Sequence, residues 1–260
     1  MKFRERIKLM ESDLAVYVGA YTRKESFVDG KAKGIAIFQF DPNTGVLFLV
    51  DEVPAGENPS FVAISPDKKN LYAVNEISRK LGPNGWISAF AIDPTDRRLT
   101  YLSRQSTQGF SPCHLCITDD GRFVIAANYE SGSVCLLPRN QDGSLDQACD
   151  IMQFSGNGPD PRQAGPHAHM VISTPDGNWI LVVDLGSDAI WILTINVTHG
   201  KFQEASPTCF KLPLGSGPRH IDFHPNGRFA YVLGELDSSV TLYHYQPENG
   251  SFLQKDTIST

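Results

Sequence analysis

The 260 residues are 41% hydrophobic and 20% charged, with 22 Gly and 17 Pro, the composition of a turn-rich globular protein and not of a disordered or fibrous one. A net charge of -6 argues against a nucleic-acid partner, because phosphate-backbone binders concentrate Lys and Arg. No apolar run approaches the ~18 residues of a membrane span, so no membrane partner is expected.

In chain order, Met1 to Asp13 alternates basic and acidic side chains without the apolar stretch of a secretory signal. It reads as an N-terminal extension of a cytoplasmic protein, and an odd count of five cysteines fits reduced thiols better than a disulfide framework. Residues 14–260 read as one all-β domain. Asp41-Pro-Asn-Thr-Gly45 supplies the first turn, with Pro presetting φ and Gly accepting a positive one. Pro59-Ser-Phe-Val-Ala-Ile-Ser-Pro-Asp67 then introduces a phrase: a Pro, a short apolar stretch and a turn at Asp or Asn, followed by a second apolar stretch. Asn70 to Val74, Trp86 to Ile92 and Leu99 to Gln105 follow as short β-rich runs, with Asp93-Pro-Thr-Asp96 between the last two.

The phrase returns at Pro112 to Asp120, at His169 to Asp176 and at Pro218 to Asn226, which puts its turn residues Asp67, Asp120, Asp176 and Asn226 53, 56 and 50 positions apart. A period near 50 is that of four strands plus their turns, the unit of a β-propeller blade. Blades starting near Leu14, Pro59, Pro112, His169 and Pro218 make about five, the last one incomplete. Neighbouring blades pack face to face, so the inner strands Val124 to Ala127, Ile180 to Val183 and Phe229 to Leu233 are expected to be buried on both sides, with function at the channel rim.

Aligning the copies on their turns places Ser60, Cys113, His169 and Arg219 at one equivalent position beside the channel. His and Arg are costly to crowd there. Across the hairpin the matching position holds Glu76, Tyr129, Leu185 and Glu235. A reversal centred between Asn226 and Gly227 returns Glu235 to the end of the hairpin where Arg219 lies. The pair is either part of a site or a structural ion pair. The same count pairs His169 with Asp184, and His167, His220, Glu76, Asn75 and Asn128 are further candidates for the rim. Cys113-His-Leu-Cys116 has CxxC spacing, but on a strand residues three apart face opposite ways, so no shared metal or disulfide is expected. His167-Ala-His169 with Asp184 lacks a full ligand set, so no metal or other cofactor is expected.

Tyr17-Val-Gly-Ala-Tyr-Thr22, Asn58-Pro-Ser60, Gly165-Pro-His-Ala-His169, Asp184-Leu-Gly-Ser-Asp188, and Gly217-Pro-Arg-His220 followed by Phe223-His-Pro-Asn-Gly227 and Gly234-Glu235 give the chain its closest resemblance. It resembles the lactonase family of seven-bladed propellers, which includes propeller-type 6-phosphogluconolactonases and carboxymuconate-lactonizing enzymes. In the family's lactonizing branch the resemblance implies a site of a His, an Arg, a Glu and a further Arg without a metal. His169 matches the His, with His167 close enough to compete; Arg219 matches the first Arg and Glu235 the Glu. The further Arg would fall beyond residue 260, and two blades of the seven are not supplied. The implied activity is metal-independent lactone hydrolysis on a small-molecule lactone such as 6-phosphogluconolactone. His169 would serve as base and Arg219 as the cation at the oxyanion or at a phosphate; Glu235 would donate the proton or orient Arg219. The alternatives are the reverse, lactonizing reaction and a non-enzymatic interaction scaffold. A ring that does not close is also expected to self-associate through its open blade faces.

Overall fold

The structure, a computed structural model, describes residues 14–25 and 27–260; the expected extension, residues 1–13, lies outside the described residues. Among the described residues nineteen strands form five antiparallel sheets, each built from consecutive strands in the manner of propeller blades. The first sheet contains β1 (Leu14–Val18), β2 (Ile35–Phe40) and β3 (Leu47–Val53). The second contains β4 (Val62–Ile64), β5 (Asn70–Asn75), β6 (Trp86–Ile92) and β7 (Leu99–Ser106). The third runs through β8 (Pro112–Ile117), β9 (Phe123–Asn128), β10 (Ser133–Pro138) and β11 (Asp150–Gln153). The fourth comprises β12 (Ala168–Ser173), β13 (Ile180–Asp184), β14 (Ala189–Asn196) and β15 (Lys201–Lys211), and the fifth β16 (Pro218–Phe223), β17 (Phe229–Gly234), β18 (Ser239–Gln246) and β19 (Ser251–Ser259).

The fifth blade therefore has all four strands, contrary to the expectation that the last would be incomplete; it is the first sheet that has three. The Asp41–Gly45 turn joins β2 to β3 as Asp93–Asp96 joins β6 to β7. Thus β1 takes the place of a blade's second strand, and the first sheet lacks an innermost strand among the described residues.

The recurring phrase has a physical cause. In three blades a hydroxyl at the end of the first strand bonds the turn carboxylate two residues on: Ser65 to Asp67, Thr118 to Asp120 and Thr174 to Asp176, at 2.6, 2.7 and 2.5 Å. The same hydroxyls accept the amides of Asn70, Phe123 and Trp179, which starts the second strand. The turn closes through a left-handed residue, Gly121, Gly177 and Gly227 at φ 69–70°, and Lys68 at 59° in the second blade, where a non-glycine residue carries a local cost.

Alternation along each second strand feeds two cores. From β5, Tyr72 and Val74 pack toward the third blade, and Leu71 and Ala73 toward the first. From β9, Val124 and Ala126 face the second blade, and Ile125 and Ala127 the fourth. From β13, Val182 packs on the third blade, and Leu181 and Val183 on the fifth. All residues of β5, β9 and β13 are buried. The expectation for Phe229 to Leu233 is corrected. β17 buries Ala230 and Val232 against the fourth blade but leaves Tyr231 and Leu233 exposed, because its other face has no neighbouring sheet among the described residues.

Candidate active site

The inner strands converge on a cavity of about 660 Å³ whose wall includes all four repeat-equivalent residues, Ser60, Cys113, His169 and Arg219. Backbone pairing explains their shared direction. In three blades the first two strands pair with one residue skipped: between Pro112 and His114, between Ala168 and Met170, and between Pro218 and His220. The skipped residues are Cys113, His169 and Arg219. A bulge leaves its extra residue out of the ladder and re-aims the side chain, here toward the common axis. Three blades thereby deliver three different functional groups to one place, and Ser60 joins them from the segment before β4.

Arg219 and Glu235 do meet: Arg219 Nη1 donates to Glu235 Oε2. The other oxygen, Oε1, accepts from Arg162 Nη2 at 2.5 Å. Burial alone would raise the Glu235 carboxyl, but the two guanidiniums outweigh it and hold the group below its ordinary value. Glu235 is therefore a carboxylate through the neutral range and fixes two cations in place. Arg162 comes from the turn at Pro161–Gln163, whose Asp160 side chain accepts the Arg162 amide at 2.8 Å. Gln163 anchors that turn by donating to Leu185 O and Asp188 Oδ1 at 2.8 and 2.7 Å.

His169 is mostly buried, and its basicity is pushed down to about 3, first by that burial and then by the charges of Arg219 and His220. It is a neutral imidazole at any physiological pH. His220 shares the cavity wall, its ring centroid 5.2 Å from that of His169 and 5.8 Å from that of His114, and it too is shifted down by burial and by Arg219. Glu76 lines the cavity just past β5, and its Oε2 accepts from Tyr21 Oη at 2.7 Å and from Ser60 Oγ at 2.5 Å.

Four of the sequence candidates stand elsewhere, among them Asn75, which is fully buried and donates to the Ala55 and Glu57 carbonyls at 2.6 and 2.9 Å. Asp184 does not pair with His169: the bulge shifts the ladder, Ala168 lies opposite Asp184, and the carboxylate is completely buried. It accepts from the amides of His167 and Gly186, the Ser187 hydroxyl and the Trp191 indole, at 2.6, 3.0, 2.6 and 3.1 Å. Asn128 is likewise buried, its amide nitrogen donating to Thr107 O and Ser133 Oγ. His167 turns its Nδ1 to Tyr129 O at 3.0 Å and stacks on the Tyr129 ring at 4.6 Å, so it supports a wall residue from behind. Cys113 lies in the cavity wall, whereas Cys116 packs into the core between the third and fourth blades; both are free thiols. Among the described residues no group of three or more His, Cys, Asp or Glu side chains is placed to hold a metal ion.

The sequence profile described as Lactonase, 7-bladed beta-propeller matches residues 15–260. The chain belongs to this family. It is similar to the 6-phosphogluconolactonase of Bacillus subtilis strain 168, with 35% identity over 243 residues, 94% of this chain and 66% of that protein. The structure of a putative 6-phosphogluconolactonase from Bacteroides fragilis superposes with a TM-score of 0.86 at 36% identity, covering 95% of this chain and 68% of that one. The periplasmic gluconolactonase of Pseudomonas aeruginosa superposes with a TM-score of 0.87 at 30% identity and the same coverage. The chain thus spans about two thirds of the length of these lactonase-family proteins, and five of the family's seven blades are described.

Within the lactonase propeller, Arg162 and Tyr21 are among the wall residues that were not assigned from sequence. Arg162 carries a signal in hindsight, the Asp160-Pro-Arg-Gln163 capping pattern that makes its loop rigid. Tyr21 sits in the Tyr17 to Thr22 motif, but only its bond to Glu76, 55 positions away, discloses a place in the site.

Proposed function

We propose that this chain is a metal-independent lactone hydrolase acting on a sugar lactone of the 6-phosphogluconolactone kind. The observation that carries the reading is one cavity wall holding a neutral imidazole, His169, beside Arg219, which an ionised carboxylate shares with Arg162. Hydrolysis adds a water oxygen to the carbonyl carbon, collects negative charge on the carbonyl oxygen and breaks the ring C–O bond. It therefore needs a proton acceptor for the water, a fixed cation for the oxyanion and a proton for the leaving alkoxide. His169 is the acceptor. An anionic substrate offsets the nearby guanidinium charge, and the imidazole becomes more basic when the site is filled. Arg219 is the cation, and its planar fork suits an oxyanion, a carboxylate or a phosphate. Glu235, held ionised, orients Arg219 and is not the proton donor. The name of the Bacillus subtilis relative, 6-phosphogluconolactonase, supports the phosphorylated substrate.

Mass spectrometry of the purified protein incubated with 6-phosphogluconolactone, and separately with carboxymuconate, tests the assignment against the spontaneous rates. Ring opening of the phosphorylated lactone well above background is the expected result. Lactonization of carboxymuconate instead would identify a cycloisomerase, and turnover of neither would leave an interaction scaffold.

A further inference from the structure

A carboxylate held between two guanidiniums cannot supply the proton that the leaving alkoxide requires, and the cavity wall contains a carboxyl, Glu76, in the opposite electrostatic situation. Glu76 is held by groups from two parts of the chain. The Tyr21 hydroxyl reaches it from the loop after β1 and the Ser60 hydroxyl from the segment before β4, while Asn58 accepts the Glu76 amide at 3.0 Å and donates to the Glu76 carbonyl at 3.1 Å. Both hydroxyls donate to one oxygen, Oε2, which leaves Oε1 free to carry a proton. The charged and titratable groups that face it are Glu25 and Tyr21 from the first loop, Cys113 from β8 and Arg219 from β16, with Lys80, Tyr129, Glu130, Arg162, His169 and His220 also on the cavity wall.

We propose that Glu76 is the general acid of this site, donating its Oε1 proton to the ring oxygen as the lactone opens. The proposal rests on the hydrolase reading above. In the balanced step the water oxygen bonds to the carbonyl carbon, the water proton passes to His169, the ring C–O bond breaks and its electron pair takes the Glu76 proton. The product is the hydroxy acid; its acidic proton and the one on His169 return to solvent and to Glu76, and no oxidant or co-reactant is needed.

Two further observations agree. Burial, joined by the charge of Glu25, lifts the Glu76 carboxyl above its ordinary value against the pull of Tyr21, Ser60 and Arg219, while Glu235 is held below its own. Two carboxyls of one site driven in opposite directions is the arrangement that separates a proton donor from a permanent charge. Tyr21 is also held as a neutral donor, shifted far upward first of all by burial.

The test is the variant Glu76→Gln, which keeps an oxygen for the Tyr21 and Ser60 hydroxyls and should leave the thermal midpoint close to wild type. Infrared difference spectra of wild type against E76Q, recorded from neutral to alkaline pH, read the carboxyl directly. A protonated-carboxyl carbonyl band at neutral pH that is absent from the variant supports the proposal, and a carboxylate signature alone at that pH overturns it. Kinetics read the role. On a sugar δ-lactone, whose leaving group is a poor alkoxide, E76Q should lose roughly 10²-fold or more in kcat and the alkaline limb of the pH profile. On an aryl lactone such as dihydrocoumarin, whose phenoxide needs little help, the loss should shrink to a few-fold. Equal losses on both substrates, or none, overturn the proposal while leaving the hydrolase intact. A wild-type protein that opens no lactone sinks the hydrolase reading and this role with it.

Discussion

At the scale of single residues, the ion network around Glu235 separates a site from a brace. An exposed ion pair is worth ~0–1 kcal/mol to folding, whereas a positioned catalytic group is worth ~10²–10⁴ in rate. Arg219→Lys keeps the charge but removes the two-pronged geometry, and Glu235→Gln removes the charge that holds both guanidiniums. Each is expected to melt near the wild-type temperature and to lose about two orders of magnitude in lactone turnover; early melting with unchanged activity per folded molecule would make the pair structural. The network also sets a pH dependence. Because Arg219 and Arg162 hold the Glu235 carboxyl below its ordinary value of 4.5, the carboxylate persists until the pH falls through that lowered value, and the acid limb of the kcat profile should be set by whichever of Glu235 and the His169 base takes its proton first, both of them held down by Arg162. Arg162→Ala takes away one of the two hydrogen-bonded cations, so the acid limb should move upward. An acid limb unmoved by Arg162→Ala would disconnect Glu235 from the reaction. The Arg219 and Glu235 contact was legible in the sequence because both sit on one hairpin, where a turn fixes who meets whom. Arg162 was not legible, since its partner is 73 positions away and reaches it only through the packing of the fourth blade on the fifth.

At the scale of elements, a period near 50 and the hydroxyl-carboxylate turns sufficed to read the blades, because each turn is built from residues within five positions of one another. The bulges were not readable. Nothing in Pro112-Cys113-His114 or Pro218-Arg219-His220 states that the middle residue leaves the ladder, and that one-residue shift changes which side chain reaches the cavity. It turned the expected His169 and Asp184 pair into two separate roles. Asp184 instead ties the segment before β12 to the turn after β13, accepting two backbone amides, a hydroxyl and an indole while fully buried. Hydrogen bonds to a charged group contribute ~1.5–3 kcal/mol each, and stranding buried donors adds a desolvation cost. Asp184→Ala is therefore expected to destabilise the fold by about 3 kcal/mol or more, measured as a lower denaturant midpoint. The variant that still folds should show a normal KM, because Asp184 is not in the cavity wall. A normal midpoint with lost activity would return Asp184 to the reaction.

At the scale of the whole molecule, the clusters between blades show what a terminal sheet lacks. The second, third and fourth blades each bury both faces, whereas the fifth buries one and presents Tyr231, Leu233, Leu253 and Ile258 to solvent, and the first exposes Leu14 and Val18 on β1. Tyr231 and Leu233, two residues apart and so on one face of β17, line a groove of about 490 Å³ with Phe61, Met170 and His220. Contiguous apolar surface beside open strand edges drives association, so the 260-residue chain is expected to form concentration-dependent oligomers or aggregates by light scattering. The joint substitution Tyr231→Lys and Leu233→Lys should raise the monomer fraction without altering the β-sheet signature in circular dichroism. Burying one such side chain is worth ~1.5–3 kcal/mol, and about 1.4 kcal/mol is tenfold in an equilibrium constant; losing both should weaken association at least tenfold. A wild-type chain that stays monomeric across the whole concentration range, with a sharp calorimetric transition, would mean that these faces are satisfied within one molecule and would refute association through the terminal blades.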